Sequence, residues 1–275
     1  QRRYQKILEI APAPNLDGFI RDKIIDAALR LAKSVNYSNI GTFEFLVNTV
    51  AEDPEKAFFF IETNARLQVE HTVTESVTGV DIVQAQIRLA HGDSFEDIGL
   101  DVPGVSSPHG YAIQARINME TMTKDGIVRP SGGTLKSYET PNGPGVRTDG
   151  FGYAGYKTNL SFDSLLAKVI AHSPSSKFDA VIQKSLRALS EFRIEGVNNN
   201  ISFLTNVLRH PDFSDGTVHT RWVDQNVATL AGSDFSDSPK RWIESASLDS
   251  VTPSERQASP LTGTAPVMVD ASDPL

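Results

Sequence analysis

The chain contains no cysteine, which excludes disulfide bonds, thiolate metal ligands and cysteine nucleophiles and fits a reducing compartment. It also lacks any stretch close to the roughly 20 apolar residues that a membrane-spanning helix needs. Its opening, QRRYQKILEIAPAP, has no apolar core of the kind found in signal peptides. Acidic residues (34) outnumber lysine and arginine (26), and the resulting net charge of -8 argues against nucleic-acid or anionic-membrane partners.

What the 275 residues do contain is an ordinary mixture of apolar and charged side chains in three segments of different texture. We expect a sheet-and-helix module over residues 1–100 and a second mixed module over 101–231. Residues 232–275 are rich in Ser, Asp, Thr and Pro and read as a linker toward a further domain. The predicted fold class is α+β. Because the chain starts abruptly and without methionine, we interpret it as a piece of a longer protein.

Local patterns predict the main elements. Apolar residues at three-to-four spacing predict a helix over 18–34 with Asp17 as its N-cap. Segments 41–47 and 57–66 predict an antiparallel hairpin, and a single helix is expected over 74–91. In the second module, strands are predicted at 110–120, 133–141, 145–150 and 164–173, and helices at 176–192, 198–213 and 219–230.

The stretch FIETNARLQVEH (60–71) has a polar residue at every second position: Glu62, Asn64, Arg66, Gln68 and Glu70. Pairing Val47 with Phe59 across the hairpin sets Glu44 opposite Glu62, with Cβ atoms about 5 Å apart. Opposed acids in a half-buried hairpin repel each other and lose hydration, and a divalent cation removes both costs. Without thiolates or a local histidine pair, all-oxygen ligation predicts Mg²⁺ or Mn²⁺, with Asn64 as a further ligand.

The alternative is that the alternation marks the solvent-exposed face of an ordinary antiparallel sheet. That face, however, holds no Lys, Ser or Thr, which usually dominate exposed strands. The opposed acids also have no obvious partner nearby in the sequence. These features favour the metal-site interpretation and leave the exposed-face interpretation open.

A set of long motifs runs through residues 1–227. They are QRRYQKILEIAPAP, EFLV, FFFIETNARLQVEHTVTESVTGVDIVQAQIRLA, GYAIQARINME, RPSGGTL, GPGVRTD and FDSLLAKVI. Together they resemble the biotin carboxylase component of the biotin-dependent carboxylases that act on acyl-CoA or pyruvate. The resemblance implies the C-terminal half of that component. This is the end of an ATP-grasp domain followed by the family's C-terminal domain, which has a mixed sheet with helices.

The resemblance implies a ligase that uses ATP and bicarbonate to carboxylate biotin through carboxyphosphate, forming a carbon–nitrogen bond. Glu44 and Glu62 resemble the family's metal-binding carboxylates, assisted by Asn64. Gln1 and Lys6 match a segment that contacts nucleotide and phosphate. The implied cofactors are therefore ATP, Mg²⁺ or Mn²⁺, and biotin.

Other matched positions imply substrate and catalytic roles. Arg66 resembles the residue that grips bicarbonate, since a planar guanidinium suits a planar oxyanion. Gln68 and the Val69 backbone resemble further bicarbonate contacts, and Glu70 resembles the general base that takes the bicarbonate proton. Arg147, in a loop shaped by Gly and Pro, resembles the arginine that stabilises the enolate of biotin.

Three departures qualify the resemblance. Tyr4 stands where the family usually has His. The Gly-rich flap and nucleotide-gripping lysine of ATP-grasp enzymes are not in this sequence, so the isolated chain is expected to be inactive. No Met-Lys-Met acceptor is present, so biotin belongs to another domain or chain. The implied partners are bicarbonate, a biotinyl carrier, a carboxyltransferase and a second copy in a homodimer or higher oligomer, in the cytoplasm or, in a eukaryote, the mitochondrion.

Two other functions stay open. Another ATP-grasp ligase, of the carbamoyl-phosphate synthetase type, shares the Glu-x-Asn-x-Arg pattern of the metal strand. A noncatalytic dimerisation or docking module belongs to a different class. RLQVEH and the downstream GVR motif favour biotin carboxylase over the first, and the intact acidic and basic site residues argue against the second.

Overall fold

The computed structural model describes residues 2, 5–53, 56–101, 107–159 and 161–232. Gln1 and Tyr4 lie outside the described residues, as does the expected linker apart from Gly232. Helices and strands are both abundant, and the predicted α+β class is confirmed. Within the described ranges, no helix combines the length and apolar character required to cross a bilayer.

Ten strands and seven helices are assigned within the described residues. The strands are β1 (Leu8–Ala11), β2 (Thr42–Val47), β3 (Phe58–Asn64), β4 (Tyr111–Asn118), β5 (Glu120–Met122), β6 (Val128–Pro130), β7 (Ser137–Glu139), β8 (Val146–Gly150), β9 (Leu165–Ser173) and β10 (Arg193–Glu195). The helices are α1 (Gly18–Ser34), α2 (His71–Thr78), α3 (Ile82–His91), α4 (Phe178–Glu191), α5 (Ile201–Arg209), α6 (Pro211–Ser214) and α7 (Trp222–Gly232).

A four-stranded sheet in the order β1-β4-β9-β8 forms the centre of the fold. β2 pairs with β3, β5 with β6, and β7 with β10 in two-stranded ladders, and every pairing among the described strands is antiparallel. β1 pairs with β4 in the register Leu8 to Ala115. The sheet therefore joins a strand from the start of the chain to strands that lie beyond residue 110.

The two faces of this sheet differ in chemistry because side chains alternate along each strand. One face carries apolar residues such as Ile113, Val169 and Ala171, which join the main core with α4, α5 and α7. The other face carries polar or charged residues, namely Glu9, Gln114, Arg116, Lys168, Arg147 and Asp149. α2 packs on this second face through Val73 and Val77. The polar face is where the candidate site lies.

The helix predicted over 74–91 is wrong as a single element, because the structure divides it into α2 and α3. Gly79 adopts a left-handed conformation (φ 74°) that ends α2. Asp81 then caps α3 by accepting a hydrogen bond from its first turn. The apolar residues of α3 are also only partly covered, since Val83 and Ile87 are exposed. The apolar spacing continues across the break and conceals it.

The first predicted helix is confirmed, with the same bounds as α1. Asp17 Oδ1 accepts hydrogen bonds from the backbone nitrogens of Phe19 (2.9 Å) and Ile20 (3.2 Å), as expected of an N-cap. In the part of the chain that the structure describes, none of the α1 side chains is fully buried. The apolar stripe of α1 is therefore only partly covered there.

Candidate functional site

The hairpin of β2 and β3 places Glu44 directly opposite Glu62, as predicted. The register shifts immediately after this pair, so Val47 faces Phe58 and not, as predicted, Phe59. A β-bulge causes the shift, because it adds one residue to β3 that has no counterpart in β2. The carboxylate pair is therefore present, although the pairing used to predict it holds on only one side of the bulge.

Asn64 connects the two carboxylates. Its Nδ2 atom donates to Glu44 Oε1 at 3.3 Å and to Glu62 Oε1 at 2.8 Å. Among the described residues, no group of three or more His, Asp or Glu side chains is arranged to hold a metal ion. A divalent cation at this position would rest on two carboxylates and the Asn64 amide oxygen, all hard oxygen donors that fit Mg²⁺ or Mn²⁺. Its remaining ligands would have to come from phosphate or water.

Lys6 ties the Glu44–Glu62 pair to Glu70. Its Nζ atom lies 3.0 Å from Glu44 Oε1 and 2.5 Å from Glu70 Oε1. Burial alone would lower the pKa of Lys6, but the hydrogen bonds to Glu70 and Glu44 raise it overall. Lys6 therefore stays protonated between Glu44, a predicted metal ligand, and Glu70, the predicted base.

Gln68 and Arg66 also act on Glu44. Gln68 Nε2 donates to Glu44 Oε1 at 2.8 Å, and this bond lowers the pKa of Glu44 the most, with smaller contributions from Lys6 and Arg66. The amide oxygen of Gln68 is buried and accepts no hydrogen bond from the described residues. The Arg66 side chain is exposed, and its Nη1 atom donates to the Leu67 carbonyl at 3.1 Å. The carboxylate cluster thus has beside it the exposed guanidinium of Arg66 and the buried amide oxygen of Gln68, which has no hydrogen-bond partner among the described residues.

Glu70 contacts a second cation, Arg116, which is not among the predicted site residues. Arg116 Nη2 donates to Glu70 Oε2 at 3.0 Å, and Arg116 Nε donates to Glu9 Oε1 at 2.6 Å. Gln114 Nε2 donates to Glu9 Oε2 at 2.7 Å. Burial raises the pKa of Glu9, and the Arg116 charge and the Gln114 bond offset part of that rise. The signal was available, since Gln114 and Arg116 alternate with apolar residues in the motif YAIQARIN.

Arg147 lies on strand β8, within the strand predicted at 145–150 and not in a loop as its Gly and Pro neighbours suggested. It binds Asp149 through two bonds, Nε to Oδ1 (2.8 Å) and Nη2 to Oδ2 (2.9 Å), and its Nη1 atom binds Glu75 Oε2 at 2.6 Å. Burial alone would raise the pKa of Asp149, but Arg147 and Lys168 lower it overall. Lys168 Nζ also reaches the Val69 carbonyl at 3.2 Å, and burial lowers the pKa of Lys168. Arg147 is thereby linked to the 68–70 segment through Asp149 and Lys168.

The structure thus brings most of the predicted site residues together, in one group joined by hydrogen bonds: Lys6, Glu44, Glu62, Asn64, Gln68 and Glu70. Arg66 and Val69 lie between members of this group in the sequence, and Arg147 is connected to it only through Asp149 and Lys168. Gln1 lies outside the described residues, so its predicted nucleotide contact remains a prediction.

A cavity of about 710 Å³ lies beside this cluster. Lys6 and Glu9 belong both to its wall and to the charged network. The rest of the wall is largely apolar and comes from β1, β2, β3 and the region of α5 to α7, including Leu46, Phe59 and Trp222. An apolar cavity with a few charged groups at one side suits an organic ligand with an anionic end.

Two family models match the chain. The model described as "Carbamoyl-phosphate synthase L chain, ATP binding domain" matches residues 1–98. The model described as "Biotin carboxylase C-terminal domain" matches residues 114–225. Together they cover the region that contains the cluster and the cavity.

Individual relatives agree with these models. A pyruvate carboxylase of Aspergillus niger is 47% identical over 232 residues, which are 84% of this chain and 19% of the relative. The chain therefore spans about one fifth of that relative's length. A solved biotin carboxylase domain of a single-chain bacterial carboxylase is 43% identical with a TM-score of 0.75, over 84% of this chain and 51% of that one. The biotin carboxylase domain dimer of Hydrogenobacter thermophilus 2-oxoglutarate carboxylase, in complex with MgADP, ADP and bicarbonate, is 36% identical with a TM-score of 0.72, over 84% and 48%.

Proposed function

Because this chain belongs to the biotin carboxylase family, we propose that it supplies the C-terminal half of a biotin carboxylase that uses ATP and bicarbonate to carboxylate biotin. In a complete enzyme this is the first half-reaction of an acyl-CoA or pyruvate carboxylase. The observation that carries the proposal is the contact of Lys6 with both Glu44 and Glu70. It places a candidate metal ligand and a candidate base within reach of one small anionic substrate.

The nucleotide is assigned to the cavity. Apolar walls such as Leu46 and Phe59 suit the nucleoside, and Lys6 at the charged side suits the phosphates. Glu44, Glu62 and Asn64 would hold Mg²⁺ or Mn²⁺, which when bound would neutralise phosphate charge. In the complete protein, upstream residues would complete this nucleotide site.

Bicarbonate is assigned to the 66–70 segment. The exposed guanidinium of Arg66 pairs with the anion, and Gln68 and the Val69 backbone orient it. Glu70 takes the bicarbonate proton, and the freed oxygen attacks the γ-phosphorus of ATP, so that ADP leaves and carboxyphosphate forms. Carboxyphosphate then breaks down to CO₂ and phosphate. Biotin, a substrate of this half-reaction, gives its N1 proton to the released phosphate and bonds to CO₂ through N1, while Arg147 stabilises negative charge on biotin.

The domain division and the partners follow from the same proposal. A boundary near residue 100 is supported by the two matched ranges, 1–98 and 114–225. We propose that biotin arrives on a carrier domain, that a carboxyltransferase takes the product, and that the enzyme works as a homodimer or higher oligomer. The related biotin carboxylase domain of Hydrogenobacter thermophilus was solved as a dimer, which supports the last point. We place the enzyme in the cytoplasm, or in the mitochondrion if its host is a eukaryote.

The complete protein is expected to cleave ATP in a bicarbonate-dependent reaction and to carboxylate biotin, whereas residues 1–275 alone are expected to do neither. The reason is that the chain covers about half of a solved biotin carboxylase domain. ADP release and carboxybiotin formation are the measurements, each with and without bicarbonate. ATP cleavage that depends on ammonia and not on biotin would favour a carbamoyl-phosphate synthetase type of ligase, and activity of the isolated chain would contradict the expected need for upstream residues.

Glu62→Gln in the complete protein is expected to raise the Mg²⁺ or Mn²⁺ concentration needed for half-maximal ATP cleavage. Loss of a partner that only supports a metal ligand costs ~10–100-fold in affinity, so loss of a ligand should cost at least ~10-fold. The measurement is a metal titration of ATP cleavage together with direct Mn²⁺ binding. Glu52→Gln, an exposed acid in the loop of the same hairpin, is the matched control. An unchanged metal requirement in Glu62→Gln would remove Glu62 from the site.

A further inference from the structure

Arg116 is a partly buried guanidinium that contacts two acids through two different nitrogens, Nε and Nη2. Its side chain is 16% exposed, and it donates Nη2 to Glu70 Oε2 and Nε to Glu9 Oε1. Lys6 occupies the other oxygen of Glu70. Each oxygen of the Glu70 carboxylate is thus assigned to a different cation, one on β4 and one just before β1.

The hydrogen bonds around Arg116 form a closed ring. Glu9 accepts from Gln114 Nε2 at 2.7 Å, and Gln114 in turn accepts a hydrogen bond from the Thr72 hydroxyl. Thr72 is only two residues beyond Glu70, so the ring returns along the backbone to its starting point. Gln114 and Thr72 are fully buried. The ring fixes the Glu70 side chain relative to its own backbone and to two strands of the sheet.

The two cations that bind Glu70 differ in rigidity. Lys6 is a single ammonium on a flexible stem and is shared with Glu44. Arg116 has a planar guanidinium, and its backbone is held in the sheet. The backbone nitrogen of Arg116 donates to the Ile7 carbonyl at 3.0 Å. Arg116 is therefore the more rigid of the two contacts to Glu70.

We infer that Arg116 is a positioning residue for Glu70. When Lys6 leaves Oε1 of Glu70 for the incoming anion, Arg116 keeps Oε2 in place, so that Oε1 faces the substrate and accepts its proton. This inference rests on the proposed function. In it, Glu9, Gln114 and Thr72 hold the guanidinium of Arg116 in place. Loss of Arg116 should therefore lower the rate of the reaction, because a misplacement of about 1 Å in a reacting group lowers the rate by on the order of 10²-fold.

The test is kinetic and uses the complete protein with Arg116→Met and Arg116→Lys. Arg116→Met is expected to lower kcat for bicarbonate-dependent ATP cleavage by on the order of 10²-fold, with the KM for ATP unchanged. Arg116→Lys is expected to restore part of the loss, because one ammonium keeps the charge but lacks the fork that spans Glu9 and Glu70. The melting temperature of each variant is measured alongside.

Arg193→Met is the matched control. Arg193 is 13% exposed and likewise bonds two acids, Glu139 at 2.9 Å and Glu195 at 2.8 Å, but it lies on β10 away from the cluster. It should lower the melting temperature while leaving kcat unchanged. A kcat for Arg116→Met no lower than for Arg193→Met, or a loss that lies wholly in the KM for ATP, would overturn the inference.

A second variant serves if Arg116→Met does not fold. Glu9→Gln keeps the size of the side chain and a hydrogen-bond acceptor but loosens the anchor of Arg116, so kcat should again fall without a change in the KM for ATP. A folded Glu9→Gln variant with the wild-type kcat would overturn this inference but leave the proposed function standing. A wild-type protein without bicarbonate-dependent ATP cleavage would overturn the proposed function and the inference with it.

Discussion

Glu70→Gln in the complete protein is expected to abolish both bicarbonate-dependent ATP cleavage and carboxylation of biotin. A general base contributes ~10²–10⁴-fold to rate, and the amide of glutamine cannot take up the bicarbonate proton. The amide oxygen can still accept a hydrogen bond from one of the two cations, Lys6 or Arg116, and the side chain keeps its size, so the variant should fold. ADP release and carboxybiotin are measured in the same reaction mixture. Both should fall together, because carboxyphosphate must form before biotin reacts.

Glu96→Gln is a suitable control for this experiment, because Glu96 is an exposed acid in the turn after α3. It should leave both activities and the melting temperature unchanged. If Glu70→Gln retained ATP cleavage near the wild-type rate, Glu70 would not be the base, and the proton would have to pass to another group. Loss of carboxylation alone would place Glu70 in the later step.

The carboxylate pair could be predicted from the sequence because it is a local property. Side chains two apart share a strand face, and strands that follow each other in the chain often pair as a hairpin. Glu44 and Glu62 lie on two such strands, joined by residues 48–57, so antiparallel pairing and alternation bring them to the same face. The bulge beside them was missed, because it depends on backbone geometry that residue type does not determine.

The network beneath Glu70 could not be predicted in the same way, because its members are far apart in the chain. Arg116 is 46 residues from Glu70 and 107 from Glu9. Their meeting requires the pairing of β1 with β4 and the seating of α2 on the polar face of the sheet. No periodicity in either segment specifies that register. The polar alternation in YAIQARIN indicates that a polar face exists, but it does not say what lies on it.

The break between α2 and α3 has a different origin. Val77, Val80 and Val83 continue the helical spacing, and the three-residue break at 79–81 is short compared with that pattern. The capping interactions of Gly79 and Asp81 end α2 and start α3 at this point. The break also frees the first backbone nitrogen of α3, on Ile82, to donate to Glu75 Oε1 at 2.9 Å. Glu75 is thereby held where its other oxygen meets Arg147.

Arg147→Ala in the complete protein is expected to separate the two activities that Glu70→Gln removes together. Arg147 stays cationic, because its bonds to Asp149 and Glu75 raise its pKa further above an already high value. Its charge is needed only when negative charge develops on biotin, which happens after carboxyphosphate has broken down. Much of the ATP cleavage should therefore remain, while carboxybiotin formation falls by ~10²–10³-fold, the range seen when one donor to a developing oxyanion is lost.

The ratio of ADP released to carboxybiotin formed is the decisive measurement, because it rises only if the two steps become uncoupled. Arg88→Ala provides the matched control: Arg88 is 39% exposed, close to the 44% of Arg147, and it also bonds an aspartate, Asp93 at 2.6 Å. That variant should keep the wild-type ratio. Equal loss of both activities in Arg147→Ala would mean that Arg147 acts earlier, through Asp149 and Lys168 on the Val69 carbonyl. An intact ratio with intact carboxylation would mean that Arg147 only joins β8 to Glu75, and the separate roles assigned to Glu70 and Arg147 would then be wrong.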